Sequence, residues 1–152
     1  MTFAQLKLHC AIFKARPIIK SREYITHSRR LWMAMQVRDA WTELFGDVCF
    51  PFNLDDVAEA YINHRKSRDR IIPTIAEIAL THGMFQCFWK NRNVGQCSDN
   101  LDGAHVISRA AGAGPLTVAN GIIECSFHNR SRGVLSIEEY LSKTSEGIYV
   151  PA

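Results

Sequence analysis

Apolar positions in the middle of the chain recur at helical spacing. From about Ser21 to Phe45, with Val48 just beyond, Ala34, Val37, Trp41, Leu44 and Phe45 fall three and four residues apart, which predicts a helix with one buried stripe. Gly46 is placed to end it. A second helix is expected after Pro51. Asn53 can cap it, Asp55 and Asp56 suit its first turn, and Leu54, Val57, Ala60, Tyr61 and His64 form its inner stripe. A third helix has Pro73 near its start, Ile75, Ile78 and Ala79 inside, and Gly83 just past its end. The first 20 residues are more ambiguous. Leu6, Leu8, Cys10 and Ile12 alternate with mostly polar neighbours, which points to a strand closed by Pro17.

Beyond Gly83 the periods shorten. Leu101–Ile107 reads as a strand, 108–119 as a loop with Gly and Pro, and Ile122–Glu124 as a second strand. A helix is expected from about Cys125 to Gly133, so this stretch reads as a ββα unit. Ser136-Ile137-Glu138-Glu139 has the form of a capping box before a last short helix, and GIYVPA reads as a loose tail. The expected class is α+β. A mainly helical N-terminal part (1–83) precedes a ββα module (84–135) and a C-terminal helix and tail (136–152). With no Gly-, Ser- or Pro-rich linker between them, the helices are expected to pack directly on the module.

Composition narrows the class. Of 152 residues, 47% are hydrophobic and 22% charged, enough for a core and too few charges for a disordered chain. No apolar run approaches the roughly 18 residues of a membrane span, and the N-terminus lacks the order of a signal peptide. An intracellular protein is expected, with no membrane partner. In such a compartment five cysteines point away from disulfides. Cys10 and Cys49 are expected to be buried thiols. The net charge of +3 says little by itself about nucleic acid. His9, His27, His64 and His82 carry no spacing signal and read as surface or helix-end histidines.

The remaining cysteines carry chemistry. Cys125-x-x-His128 is a close ligand pair at a helix start, and Cys97 lies eight residues before His105. With Cys87 they make a Cys3His set of the type that holds structural zinc. Nine residues separate Cys87 from Cys97, more than the usual two to four. Two alternatives therefore stay open at this point: Cys87 is a buried thiol with another fourth ligand in its place, or there is no zinc.

Around this set, His105 in GAHVISR, Asn120 in VANGII and Asn129 in CSFHNRSRG stand in a fixed order. Over 87–133 the chain resembles the HNH, or ββα-metal, endonuclease superfamily, with His128 where that family has its second zinc-binding cysteine. The resemblance implies a DNA endonuclease, most naturally on double-stranded DNA, built on a zinc-stapled ββα-metal module. His105 would be the general base. Asn120 would order the loop and help orient the imidazole. Asn129 would hold Mg²⁺ or Mn²⁺ at the scissile phosphate. Most of the family has a metal-binding residue directly before the base, and here it is Ala104. Asp102 is the nearest carboxylate, on the opposite face of a regular strand, and reaches the metal only through a bulge at Gly103. Lys90, Arg92, Arg109, Arg130 and Arg132 flank the site and are expected to contact phosphates without reading sequence. Trp89 is expected in the core. Ala104 also favours a catalytically inactive, zinc-stabilised nucleic-acid-binding module. A homodimer, or a subunit of a larger assembly with a protein partner, is the further alternative.

Overall fold

The computed structural model describes residues 1–145 apart from 21–26, 47–49, 67–70, 93, 109–111 and 113. Four helices come first: α1 (Phe3–Lys20), α2 (His27–Phe45), α3 (Leu54–Lys66) and α4 (Ile71–His82). A two-stranded antiparallel hairpin follows, β1 (Leu101–His105) and β2 (Gly121–Cys125), then α5 (Ser126–Arg132) and α6 (Ile137–Ser145). The architecture is mixed helix and sheet, as expected. Among the described residues no helix is long and apolar enough to cross a membrane.

The strand expected in the first 20 residues is a helix, and the reason lies in what covers it. Leu8, Ala11, Ile12, Ala15 and Ile19 follow helical spacing and pack with Met33, Val37 and Trp41 of α2 and Val57 and Tyr61 of α3. Leu6 and Cys10, one turn apart, face a second core formed by α4, the hairpin and α6. A helix buried on two sides mimics alternation when read along the chain. Its start was legible in another signal. Thr2 Oγ1 accepts the Gln5 N–H (3.2 Å) while Gln5 Oε1 accepts the Thr2 N–H (2.8 Å), a reciprocal capping box. Pro17 lies inside α1 rather than closing it.

The other helices follow their punctuation. Asn53 Oδ1 accepts the Asp56 N–H at 2.8 Å and so caps α3. Gly83, at φ +59°, supplies the left-handed residue that ends α4, and the Met84 N–H closes on Ala79 O (2.8 Å). Ser136 Oγ accepts the Glu139 N–H (3.1 Å) to cap α6. Val48, Cys49 and the GIYVPA tail lie outside the described residues.

β1 pairs with β2 from Leu101↔Cys125 to His105↔Gly121, so β1 ends two residues before the expected Ile107. One face of the hairpin lies on α4. A Cβ on Gly103 would stand 2.8 Å from Ile75 Cγ1, and one on Gly121 would stand 2.6 Å from Thr117 O. These glycines let helix and sheet approach at close range. The shared core of Leu6, Ile75, Ile78, Trp89, Leu101, Ile123 and Tyr140 joins the N-terminal helices to the hairpin without an intervening linker.

His64 takes the inner-stripe position expected on α3 rather than a surface one. It is fully buried, its Nδ1 lies 3.2 Å from Nδ1 of His9, and the two rings stack with centroids 5.4 Å apart.

Candidate metal centre and the His105 cavity

Three segments far apart in sequence converge on one point. Cys125 ends β2 and caps α5, and His128 follows within the first turn of that helix. Cys87 comes from the turn after α4 and Cys97 from the loop before β1. Their ligand atoms all lie within 4.8 Å of one another. His128 Nδ1 stands 3.1 Å from Cys125 Sγ and 3.6 Å from both Cys87 Sγ and Cys97 Sγ. Its Nε2 lies 3.0 Å from Val94 O. A carbonyl only accepts, so Nε2 carries the hydrogen and Nδ1 turns its lone pair toward the three sulfurs. A metal ligand needs that tautomer, with a backbone partner fixing the ring.

The long spacing between Cys87 and Cys97 is taken up by a compact turn. The Lys90 N–H bonds Cys87 O and the Arg92 N–H bonds Trp89 O, each at 3.1 Å. Trp89 is fully buried beneath this turn, as expected, with its ring 4.9 Å from that of Tyr140.

Electrostatics distinguish the three thiols. Burial raises Cys87 to about 12, and the neighbouring Cys125 and Cys97 sulfurs add to the rise against backbone N–H groups that oppose it. Cys97 is also raised, first by burial. Burial works against the Cys125 thiolate too. There hydrogen bonds from the His128 and Ser98 backbone N–H groups oppose it and lower Cys125. Three packed sulfurs cannot all ionise without a cation to neutralise them. A tetrahedral zinc site has ligand–ligand edges of about 3.3–3.8 Å, and the separations of His128 Nδ1 from the three sulfurs, 3.1, 3.6 and 3.6 Å, already fall close to that range. The four residues can hold a metal such as zinc.

His105 lies at the far end of β1 from this cluster. Its Nε2 is 3.1 Å from Gly114 O, so Nε2 donates and the neutral ring keeps its lone pair on Nδ1. Asn120 closes the loop behind it: Oδ1 accepts the Ile107 N–H (2.8 Å), Nδ2 donates to Ile107 O (3.0 Å), and Asn120 O accepts the Val106 N–H (3.1 Å). Asn120 thus orders the loop around the histidine, and its hydrogen bonds go to the loop rather than to the imidazole. His105 and Asp102 both line a cavity of about 510 Å³ with Ile71, Thr74, Pro115 and Leu116. The cavity brings in both residues although they alternate on the strand. Asn129 is half-buried on α5 and is not among the residues lining that cavity. Ala104 is buried.

Arg132, expected on DNA, is instead interior. It is 2% exposed and forms an ion pair with the fully buried Glu124, Nη2 to Oε1 at 2.6 Å and Nε to Oε2 at 2.9 Å. Trp89 Nε1 donates to the same carboxylate (2.7 Å). The far side of the guanidinium bonds His105 O (2.7 Å) and Leu135 O (2.9 Å). Arg132 therefore straps α5 to the backbone of His105 and cannot turn outward to a phosphate without abandoning a buried carboxylate. Sequence reasoning missed Glu124, whose signal was a lone carboxylate within an apolar strand. It also missed the Val94 and Gly114 carbonyls, which leave no side-chain signal.

Of the other basic residues, Lys90, Arg92 and Arg130 are exposed. Arg92 is pinned, with Nε donating to Phe88 O (2.9 Å) and its guanidinium 4.0 Å from the Phe88 ring centroid. Arg109 lies outside the described residues. Compared with protein-family models, curated proteins and solved structures, the chain finds no match.

Proposed function

We propose that the chain is a metal-dependent endonuclease hydrolysing DNA phosphodiesters, with His105 as general base. One observation carries this reading. The His105 imidazole is oriented by Gly114 O through Nε2, which leaves Nδ1 as the basic nitrogen, and His105 lines a cavity together with Asp102. A neutral imidazole can accept a proton from water. Asn120 fixes the loop, and Arg132 fixes the strand end, on either side of that ring.

A hard divalent ion such as Mg²⁺ or Mn²⁺, when bound, would neutralise charge on the phosphate and the departing oxygen. Asp102 is the oxygen donor within the cavity, where substrate phosphate and water would complete the shell. Asn129, the ligand that the family resemblance implies, would have to act from outside the cavity lining. Lys90, Arg92 and Arg130 would position the duplex by its phosphates.

The test is supercoiled plasmid with Mg²⁺ or Mn²⁺ beside an EDTA control. His105→Ala should slow cleavage by about 10²- to 10⁴-fold with the fold intact. An unchanged rate removes His105 from the reaction. Asp102→Asn and Asn129→Ala, assayed alongside, decide which residue carries the cation.

A second reading is favoured by Ala104, buried where a metal ligand would precede the base, and by the position of Asn129. In it, the zinc-stabilised module binds nucleic acid without cutting. Salt-dependent DNA binding with no cleavage under any divalent ion selects it.

A further inference from the structure

The Cys3His cluster is closed on one side only. Cys125 and His128 are fully buried and Cys87 is 6% exposed, but Cys97 is only half-buried. Cys97 comes from a loop between turn and strand rather than from a helix or strand. Beside it opens a second cavity of about 500 Å³, lined by Cys87 and Cys97 with Lys90, Gln96, Ser98 and Asp99. Neither Cys125 nor His128 lines it. Two of the three cysteines line this water-accessible space, and the third is withdrawn.

We propose that Cys97 is an oxidation site for small peroxides, with Cys87 as the resolving thiol. The inference rests on the metal reading of the cluster but not on nuclease activity. Cys97 Sγ attacks one peroxide oxygen and the O–O bond breaks. With one proton taken up, the products are a Cys97 sulfenic acid and water. Cys87 Sγ then attacks the Cys97 sulfur, forming the S–S bond, and the departing hydroxide takes a second proton to become water. Two thiolates lose two electrons in total, and the peroxide is reduced to two waters. Cys87 resolves rather than Cys125 because it shares the cavity. Cys125 Sγ is buried and held at the start of α5 by the His128 N–H (3.4 Å). Only Cys125 and His128 would then remain as ligands, and two ligands do not retain a structural zinc ion. The disulfide would close the turn around Trp89, so the residues that release the ion stay tethered together.

The experiment treats the zinc-loaded protein with hydrogen peroxide and follows free zinc with a chromogenic chelator. Non-reducing peptide mass spectrometry maps the disulfide. The expected result is about one zinc released per chain, together with a Cys87–Cys97 cross-linked peptide, reversed by thiol reductant plus zinc. Cys97→His keeps a four-ligand set without the exposed sulfur and should hold its zinc under the same peroxide. Zinc retained by the parent protein, or a disulfide containing Cys125, overturns the proposal while leaving the metal reading intact. Protein that purifies and folds without zinc overturns both.

Discussion

Replacing Arg132 by Met tests the interior role of this arginine against the phosphate contact that its sequence position suggests. The substitution keeps most of the side-chain volume and removes the guanidinium. Glu124, fully buried, would keep its hydrogen bond from Trp89 Nε1 (2.7 Å) but lose its counter-ion, and the carbonyls of His105 and Leu135 would lose the guanidinium donor. Breaking one side of a buried ion pair costs about 3–5 kcal/mol, because a charge stays behind without its counter-ion. Against a total stability of about 5–15 kcal/mol, that is a large share. Urea unfolding followed by Trp fluorescence measures it. In the double variant Arg132→Met with Glu124→Gln the stranded charge is gone, so a mutant cycle should show at least about 1.5 kcal/mol of coupling. An exposed phosphate-contacting arginine behaves differently. Its loss would change stability by no more than about 0.5 kcal/mol and make the slope of log K against log salt shallower by about one. That second pattern would refute the strap.

Three further outcomes follow from the same geometry. Burial, then the charges of His9 and Arg16, lower His64 from its ordinary 6.5 to about 3, so below about pH 6.5 the unfolded chain binds a proton that the folded one refuses. Stability should therefore fall as pH drops from 6.5 toward 3, by about 2 kcal/mol at pH 5 from this residue. The acid-side slope should flatten in His64→Phe, and identical slopes in the two proteins would count against it. Stripping the metal, or replacing Cys125 by Ser, should unfold the hairpin and α5 with a loss on the order of 10 kcal/mol, seen as a changed Trp89 environment in near-UV circular dichroism. An unaltered spectrum after complete zinc removal would disprove the staple. Gly121→Ala should cost about 1–3 kcal/mol in thermal or urea unfolding, because its methyl would meet Thr117 O at 2.6 Å as well as Ile78. A neutral effect would mean that α4 yields freely.

Features marked by local chemistry were legible in the sequence. Asn53, Gly83 and Ser136 act where their residue types said they would, because a cap depends on three or four neighbouring residues. The Cys3His set was legible for a related reason, since few residue types can serve it and their spacing is constrained. Features set by distant packing were not. The apolar residues of α1 are divided between two cores, so their helical period is hidden in an apparent alternation. His64 was legible as part of the α3 inner stripe, but its partner was not, because His9, 55 positions away, is what stacks on it. Arg132 illustrates the limit for charge: an outward phosphate contact and an inward ion pair call for the same residue. Only the burial of Glu124 separates them.

Because α1 contributes Leu6 and Cys10 to one core and Leu8 to Ile19 to the other, it is completed by segments that leave the ribosome well after it, Tyr140 of α6 among them. The gap from Cys10 to Tyr140 corresponds to roughly 7–26 s of translation at about 5–20 residues per second. For that interval a greasy flank of the nascent chain is uncovered, which makes it a natural resting place for a holdase chaperone and a point where slow or interrupted synthesis would favour clumping.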